Sequence, residues 1–292
     1  MIDYKLLEAM ATVIKEGGFD KAAQKLHITQ SAVSQRVKLL EEQTGQILLA
    51  RTTPPAATSA GHRLLKHYLK VKWLERDLFE QSSASMDKRM ESLAIGLNSD
   101  SLTTWFFSGV EPFLKEMKVT LDLRVDDQEE THKMLREGTV MGCISSREIS
   151  MQGCNTTYLG SMNYRLTASP DFMAEFFPEG FTSTAVKHAP AVIFNIKDQQ
   201  HNQLLQRVFQ EKINDIPAHY VPAVKEYAQF ITNGFGYGML PDQQCAKLIK
   251  TGKLVDIIPT HHMLVKLYWH RWNLKSDLLD RFTSFLAANR MS

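Results

Sequence analysis

The 292-residue chain contains only three cysteines, Cys143, Cys154 and Cys245. Their odd number and the lack of a CxxC pair exclude a disulfide framework and suit a reducing compartment. They are read as packing residues rather than as a thiol switch between Cys143 and Cys154. No run of about 18 apolar residues occurs, so no membrane-spanning helix is expected. The N-terminus, MIDYKLLEAM, lacks the basic, apolar and small-residue succession of a signal peptide. The expected location is the cytoplasm, in association with the nucleoid. There is also no glycine-rich phosphate loop and no GxSxG nucleophile elbow. His261-His262 and His270 lack HxxxH spacing and flanking acids, so they read as surface and strand-end histidines. Together these absences argue against an enzyme and against any metal or cofactor.

What remains is an ordinary globular composition, 43% hydrophobic and 23% charged, in a chain long enough for two or three domains. The net charge of +2 says little as a whole, but it is unevenly spread. Residues 1–80 hold 12 lysines and arginines against 9 acids, while the remainder holds 22 against 23. A small basic excess confined to one end fits a single region that meets phosphate.

That region centres on FDKAAQKLHITQSAVSQRVK, residues 19–38, which has four basic residues and no acid after Asp20. Ala22, Ala23, Leu26, Ile28, Val33, Val37 and Leu40 fit two helices joined by a tight turn. Small alanines suit the place where two helices cross. Thr29 is the expected N-cap of the second helix, because its hydroxyl can accept an otherwise unpaired backbone N–H. Gln30, Ser31, Ser34 and Gln35 then line a polar face, with Arg36 and Lys38 alongside. In a helix-turn-helix the second helix enters the major groove with such groups against base edges. A first helix is expected over 3–16, stopped by Gly17-Gly18, and Gly45 should end the recognition helix.

After Gly45, a short apolar strand, a bend at Pro54-Pro55 and a return strand to Thr58 predict a wing. Arg51, just before that bend, either reaches a phosphate or the minor groove or is a solvated loop arginine. A helical pattern from Thr58 to about Gln81 carries Leu64, Leu65, Tyr68, Leu69, Trp73 and Leu74. A helix this apolar, placed outside either globular unit, is expected to be covered by the same helix of a second subunit. Gln81-Ser82-Ser83-Ala84-Ser85 reads as a hinge.

Beyond the hinge, strands and helices alternate. Strands are expected at Leu93–Leu97, Val119–Val125 and Val140–Ile144, separated by helices, in a parallel arrangement. A second run starts with a strand at Tyr164–Ala168 and continues to Pro241. The last strand (266–271) and helix (276–289) should return to the first lobe. Two such α/β lobes joined by crossing strands enclose a cleft at the carboxyl ends of their strands. Asn98, Ser99, Asp100 and Ser101 join a strand end to a helix start, where free N–H groups and hydroxyls suit a carboxylate. Asp100 either pairs with an α-ammonium group or caps the helix. Asp126 and Asp127 end the neighbouring strand and suit a lysine or arginine side chain, or else cap the next helix.

The stretch AAQKLHITQSAVSQRVKLLEE at 22–42, the Arg51 wing and the linker helix opening at Thr58 resemble the LysR-type transcriptional regulators over essentially the whole chain. RTTPPAAT at 51–58, NSDSLTTW at 98–105, RVDDQE at 124–129 and LYWHRW at 267–272 resemble its arginine/lysine-responsive ArgP/LysG branch. Two segments depart from that branch: 222–226 lacks its Ser-rich helix start, and 194–198 (Phe194-Asn195-Ile196-Lys197-Asp198) has less acid. The resemblance implies an α+β multidomain chain. A winged helix-turn-helix would occupy 1–58 and a linker or dimerisation helix with its hinge 59–88. A two-lobed, periplasmic-binding-protein-like α/β effector domain would occupy 89–292, with lobe 1 at about 89–162 and 266–292 and lobe 2 at about 163–265. It implies DNA contact by Gln30, Ser31, Ser34, Gln35, Arg36, Lys38 and Arg51, and effector contact by Asn98, Ser99, Asp100, Ser101, Asp126 and Asp127. The implied partners are double-stranded promoter DNA, a small effector such as L-lysine or L-arginine, RNA polymerase, and further copies of the chain in a homodimer or homotetramer. The implied role is control of genes for basic amino-acid export or metabolism. A regulator with a different effector, or an architectural DNA-binding protein with a vestigial cleft, are the alternatives.

Overall fold

The computed structural model describes residues 2–50, 52–80, 90–127 and 130–289. Arg51 and the expected hinge at 81–85 lie outside the described residues. Helix α1 (Tyr4–Glu16) starts at Asp3, whose carboxylate accepts the Lys5 N–H at 2.8 Å, and stops at Gly17 with φ +72°. Helix α2 (Phe19–Leu26) turns through His27 into α3 (Gln30–Thr44). Thr29 caps α3 by accepting the Ala32 N–H at 3.2 Å, and Gly45 ends it at φ +64°. Ala22 and Ala23 are buried at the crossing of α2, in one core with Leu7, Met10, Val33, Val37 and Leu40. Strands β1 (Leu49–Ala50) and β2 (Ala56–Ala57) pair antiparallel as the wing. Glu41 ties the wing to α3, accepting the Leu48 and Leu49 N–H groups at 2.8 and 3.3 Å.

Helix α4 (Ser59–Glu80) starts where the Thr58 hydroxyl accepts the Gly61 N–H. The expectation that it stands outside both globular units is corrected. Leu65 and Tyr68 are buried in the N-terminal core, and Trp73 is buried in the core of the C-terminal unit. At about 1.5 Å per residue a helix of this length reaches from one unit to the other, so successive turns find different partners. Leu74 stays 45% exposed, so part of the apolar stripe has no cover from the described residues.

The C-terminal unit opens with β3 (Glu91–Leu97) and α5 (Ser99–Ser101), followed by a π-helical turn (Leu102–Phe106) and α6 (Phe107–Glu116). Then come β4 (Val119–Val125), α7 (Thr131–Glu137) and β5 (Gly142–Ser145), with β3 parallel to both strands. The strand expected at Tyr164–Ala168 is the last third of a longer one, β6 (Cys154–Ala168). Its first half is legible only from pairing, because Asn155, Thr156 and Thr157 break the apolar alternation. The second lobe adds α8 (Pro170–Phe176), α9 (Ser183–Val186), β7 (Ala191–Ile193), α10 (Gln200–Phe209), β8 (Ala218–Tyr220) and α11 (Val224–Thr232). It continues with β9 (Gly238–Pro241), α12 (Asp242–Lys250) and β10 (Val255–Asp256). Strand β11 (Met263–Trp272) and α13 (Asp277–Ala288) complete the chain, with Phe282 of α13 edge-on to Phe113 of α6 at 5.0 Å.

Among the described residues the main sheet has seven strands in the order β10-β6-β11-β5-β3-β4, with β9 also on β6. Strand β11 lies antiparallel to β6 from Met263↔Tyr164 to Trp272↔Cys154. The end of β6 instead pairs with β9 and β10. These two long strands therefore run between the lobes, and β6 lines the cleft between them with the buried Tyr164. Arg165 on β6 reinforces the second lobe by bonding Asp242 at the start of α12 and Asp256 on β10.

Candidate nucleic-acid interface and ligand cleft

Helix α3 buries Val33, Val37 and Leu40 and leaves Gln30, Ser31, Ser34, Gln35 and Lys38 exposed on the other side, with Arg36 half-buried beside them. This polarity follows from helical spacing, since positions 33, 37 and 40 stack on one face. Thr29 and Ser31 hydroxyls lie 3.0 Å apart at the start of α3, and Lys38 is 3.7 Å from Glu42 one turn on. The structure thus presents hydroxyls, amides and a cation along the first two turns of one exposed helix.

The cleft lies between the lobes, with an empty volume of about 870 Å³ that includes its open mouth. From the first lobe come Asn98, Ser99 and Asp100 after β3, and Asp126, Asp127 and Glu130 after β4. The crossing strand β6 adds Tyr164. From the second lobe come Phe194 and Lys197–Gln200 after β7, Tyr227 on α11, and Met239 and Leu240 on β9. Of the sequence-expected residues, Ser101 is not brought to the cleft. It is fully buried beneath it, with its N–H bonded to Asn98 Oδ1. Asn98 therefore fills the capping role, which leaves the Asp100 carboxylate free of it. Asp127 supports α7 through its backbone carbonyl, which accepts the Glu130 and Thr131 N–H groups.

Carboxylates dominate the electrostatics. Asp100 accepts the Tyr164 hydroxyl at 2.8 Å. Burial pushes its carboxyl above the usual aspartate range, against the opposing effect of that hydrogen bond. Burial also raises the Tyr164 hydroxyl, with the Asp100 charge adding to it. Asp126 Oδ1 sits 3.3 Å from Lys197 Nζ, and Asp127 Oδ1 accepts from Asn195 Nδ2 at 3.0 Å. Asp127 Oδ2 is buried with no hydrogen-bond partner among the described residues. An unpaired buried carboxylate oxygen is costly, so it favours any donor that reaches it. The hydrogen bond and charge of Asp126 raise the Lys197 ammonium above the ordinary lysine value, which keeps it charged.

Tyr164, Glu130, Lys197 and Asp198 escaped sequence reasoning as site residues. The signal for Lys197 and Asp198 was present, because 194–198 stood out as a departure from the branch pattern, but its contact with Asp126 is made across the cleft. The histidines are dispersed. His262 Nε2 lies 2.9 Å from Asp256, while His270 is buried between the Thr156 hydroxyl and the Arg147 carbonyl. Burial pushes the thiols of Cys143, Cys154 and Cys245 up, the last to about 12, which disfavours reactive thiolate. Among the described residues no helix is long and apolar enough to cross a membrane.

A helix-turn-helix with a wing joined by one long helix to a two-lobed cleft has counterparts among known proteins. The family described as "Bacterial regulatory helix-turn-helix protein, lysR family" matches residues 4–62, and "LysR substrate binding domain" matches residues 89–290. The chain belongs to the LysR family of bacterial transcriptional regulators. As a member it is a DNA-binding regulator with an effector-binding domain, and not an enzyme. It is 40% identical over 290 residues to the HTH-type transcriptional regulator ArgP of Pseudomonas aeruginosa (strain UCBPP-PA14), covering 99% of this chain and 96% of that one. Its structure is similar to that of ArgP from Mycobacterium tuberculosis, with TM-score 0.87, 36% identity and coverage of 99% and 97%. It is also similar to full-length LysG from Corynebacterium glutamicum, solved with bound effector Arg, at TM-score 0.78, 30% identity and coverage of 99% and 98%.

Proposed function

We propose that this LysR-family regulator responds to a basic amino acid, L-arginine or L-lysine, held in the cleft between its lobes. The observation that carries this reading is the wall of Asp126 and Asp127, with Glu130 beside them and one buried Asp127 oxygen lacking a donor. A guanidinium or ammonium group supplies that donor and the opposite charge, and a guanidinium does so through two parallel bonds. The arginine-bound relative LysG supports the same chemistry. Asn98, Ser99 and Asp100 then meet the other end of the ligand.

On this reading the output end is α3. Gln30, Ser31, Ser34, Gln35 and Arg36 read a promoter half-site, Lys38 and Arg51 add phosphate contact, and a second copy of the chain supplies the other half-site. The uncovered stripe on α4 around Leu74 is the surface on which copies associate as a dimer or tetramer. Bound effector alters how the assembly holds promoter DNA and RNA polymerase at genes for basic amino-acid export or metabolism.

Titration calorimetry of the full chain tests the reading. L-arginine or L-lysine should bind with measurable heat, and the double substitution Asp126→Ala, Asp127→Ala should weaken binding by about a hundredfold, as expected for two charge-assisted bonds. No heat and no shift of the unfolding temperature with either amino acid would reject it.

A further inference from the structure

We propose that Lys197 is the residue by which the cleft selects an amino acid over the amine left when its carboxylate is removed. This rests on the basic amino-acid reading above.

Lys197 is the one cationic side chain among the described residues lining the cleft, where the acids are Asp100, Asp126, Asp127, Glu130 and Asp198. A wall so rich in carboxylates, taken alone, favours dications over zwitterions. Agmatine or cadaverine carries two positive charges, whereas arginine or lysine carries two positive charges and one negative. Without a cation of its own the site should therefore prefer the decarboxylated amine.

The position of Lys197 is built. Its backbone N–H donates to Asn195 Oδ1 at 2.7 Å, and the Asn195 amide reaches across the cleft to Asp127 Oδ1 at 3.0 Å. One asparagine thus fastens the turn that carries Lys197 to the opposite lobe. The Lys197 side chain remains 59% exposed and ends 3.3 Å from Asp126 Oδ1. Asp127 and Glu130 also act on its charge.

In the unliganded cleft the Lys197 ammonium occupies one of the carboxylates that a cationic ligand needs. A zwitterionic ligand resolves the conflict by exchange of partners. The ligand's side-chain cation takes Asp126, and its α-carboxylate takes the displaced Lys197 ammonium, so one ion pair becomes two, while its α-ammonium is left to the remaining acids of the cleft. A diamine has no anion to offer. It displaces Lys197 from Asp126 and leaves the ammonium beside a second cation, which is repulsive. Lys197 therefore acts both as an attractive contact for the correct ligand and as a repulsive one for its competitor.

The test is calorimetry on the full chain with L-arginine, agmatine, L-lysine and cadaverine, using wild type, Lys197→Met and Lys197→Arg. Wild type should prefer each amino acid to its amine. Lys197→Met should reduce that preference by about tenfold or more, in line with the effect of leaving a polar ligand group without its partner at a partly exposed site. Lys197→Arg should restore it. Matching unfolding temperatures across the variants establish that the fold is intact, as expected for an exposed side chain. An unchanged arginine-to-agmatine ratio in Lys197→Met overturns the role of Lys197 and leaves the basic amino-acid reading standing. Failure of wild type to bind either amino acid overturns both.

Discussion

Gly138 seats the linker helix: a methyl group at its Cα would lie 2.8 Å from the Cα of Lys66. It ends α7 in the left-handed region at φ +79°, one residue after the Glu137 carbonyl that lies 3.3 Å from His62 Nδ1. The other end of α7 begins beside Glu130 and Asp127 in the cleft. One short helix therefore touches the ligand cleft at its start and the helix leading to the DNA-binding unit at its end. Gly138→Ala should destabilise the chain by about 1–2 kcal/mol through backbone strain alone, and more if α4 cannot shift. Chemical denaturation measures the loss. DNA affinity titrated with and without L-arginine should also show a weaker dependence on ligand, because the contact between α7 and α4 is loosened.

Glu41 is the hinge pin of the wing. Its carboxylate serves two backbone N–H groups, those of Leu48 and Leu49, whose side chains are buried. Glu41→Ala leaves both donors without that acceptor and should lower stability by about 1–3 kcal/mol. Glu41→Gln, which retains an acceptor oxygen, should lose less. Urea melts of the three proteins make the comparison.

His201 predicts an acid-sensitive second lobe. It is buried on α10 against the Tyr237 ring at 5.0 Å, and among the described residues neither ring nitrogen nor the Tyr237 hydroxyl has a hydrogen-bond partner. Burial lowers its pKa to about 4. The unfolded chain therefore binds a proton near pH 6.5 that the folded chain refuses until about pH 4. Stability should be constant above pH 6.5 from this group and fall between pH 6.5 and 4, by a total on the order of 3 kcal/mol. His201→Phe suits the surrounding rings, should remove this part of the pH dependence, and should raise stability at neutral pH by sparing two unpaired nitrogens. Thermal melts across that pH range decide it.

DNA binding should be steeply salt-dependent. Replacing Lys38, assigned to phosphate contact, with alanine should reduce the slope of log K against log salt by about 1. Ser34→Ala and Gln35→Ala should instead narrow the difference between specific and nonspecific sites by about 1–3 kcal/mol each, with little change in slope. Unchanged slope and unchanged discrimination in all three would remove these residues from the interface. Fluorescence anisotropy at several salt concentrations separates the two behaviours.

Much of this molecule is written locally. Thr29 as a cap, Gly17 and Gly45 as helix ends, and the buried Ala22 and Ala23 followed from sequence because a cap or a stop is satisfied within a few residues of chain. The same holds for the exposed row on α3, since burying positions 33, 37 and 40 turns 30, 31, 34 and 35 outward. Asp126 and Asp127 were legible as acids at a strand end, where strand-to-helix loops of an α/β lobe meet ligands.

Other features were decided only in three dimensions. The full length of β6 depends on β11, a hundred residues later, and its polar first half carries no periodic signal of its own. The linker helix looked orphaned because the sequence cannot say that Trp73 enters a core far along the chain. In the cleft, local order alone does not tell which of Asn98 and Asp100 caps the helix, or that Ser101 turns inward. Lys197 is the sharpest case: in sequence it is one lysine in a surface turn, and its meaning comes from Asp126, 71 residues away, at 3.3 Å across the cleft. Sequence determined which elements form and which chemistry they carry, since those depend on short-range hydrogen bonding and side-chain period. Tertiary structure decided which charges face one another, because that depends on how two long strands set one lobe against the other.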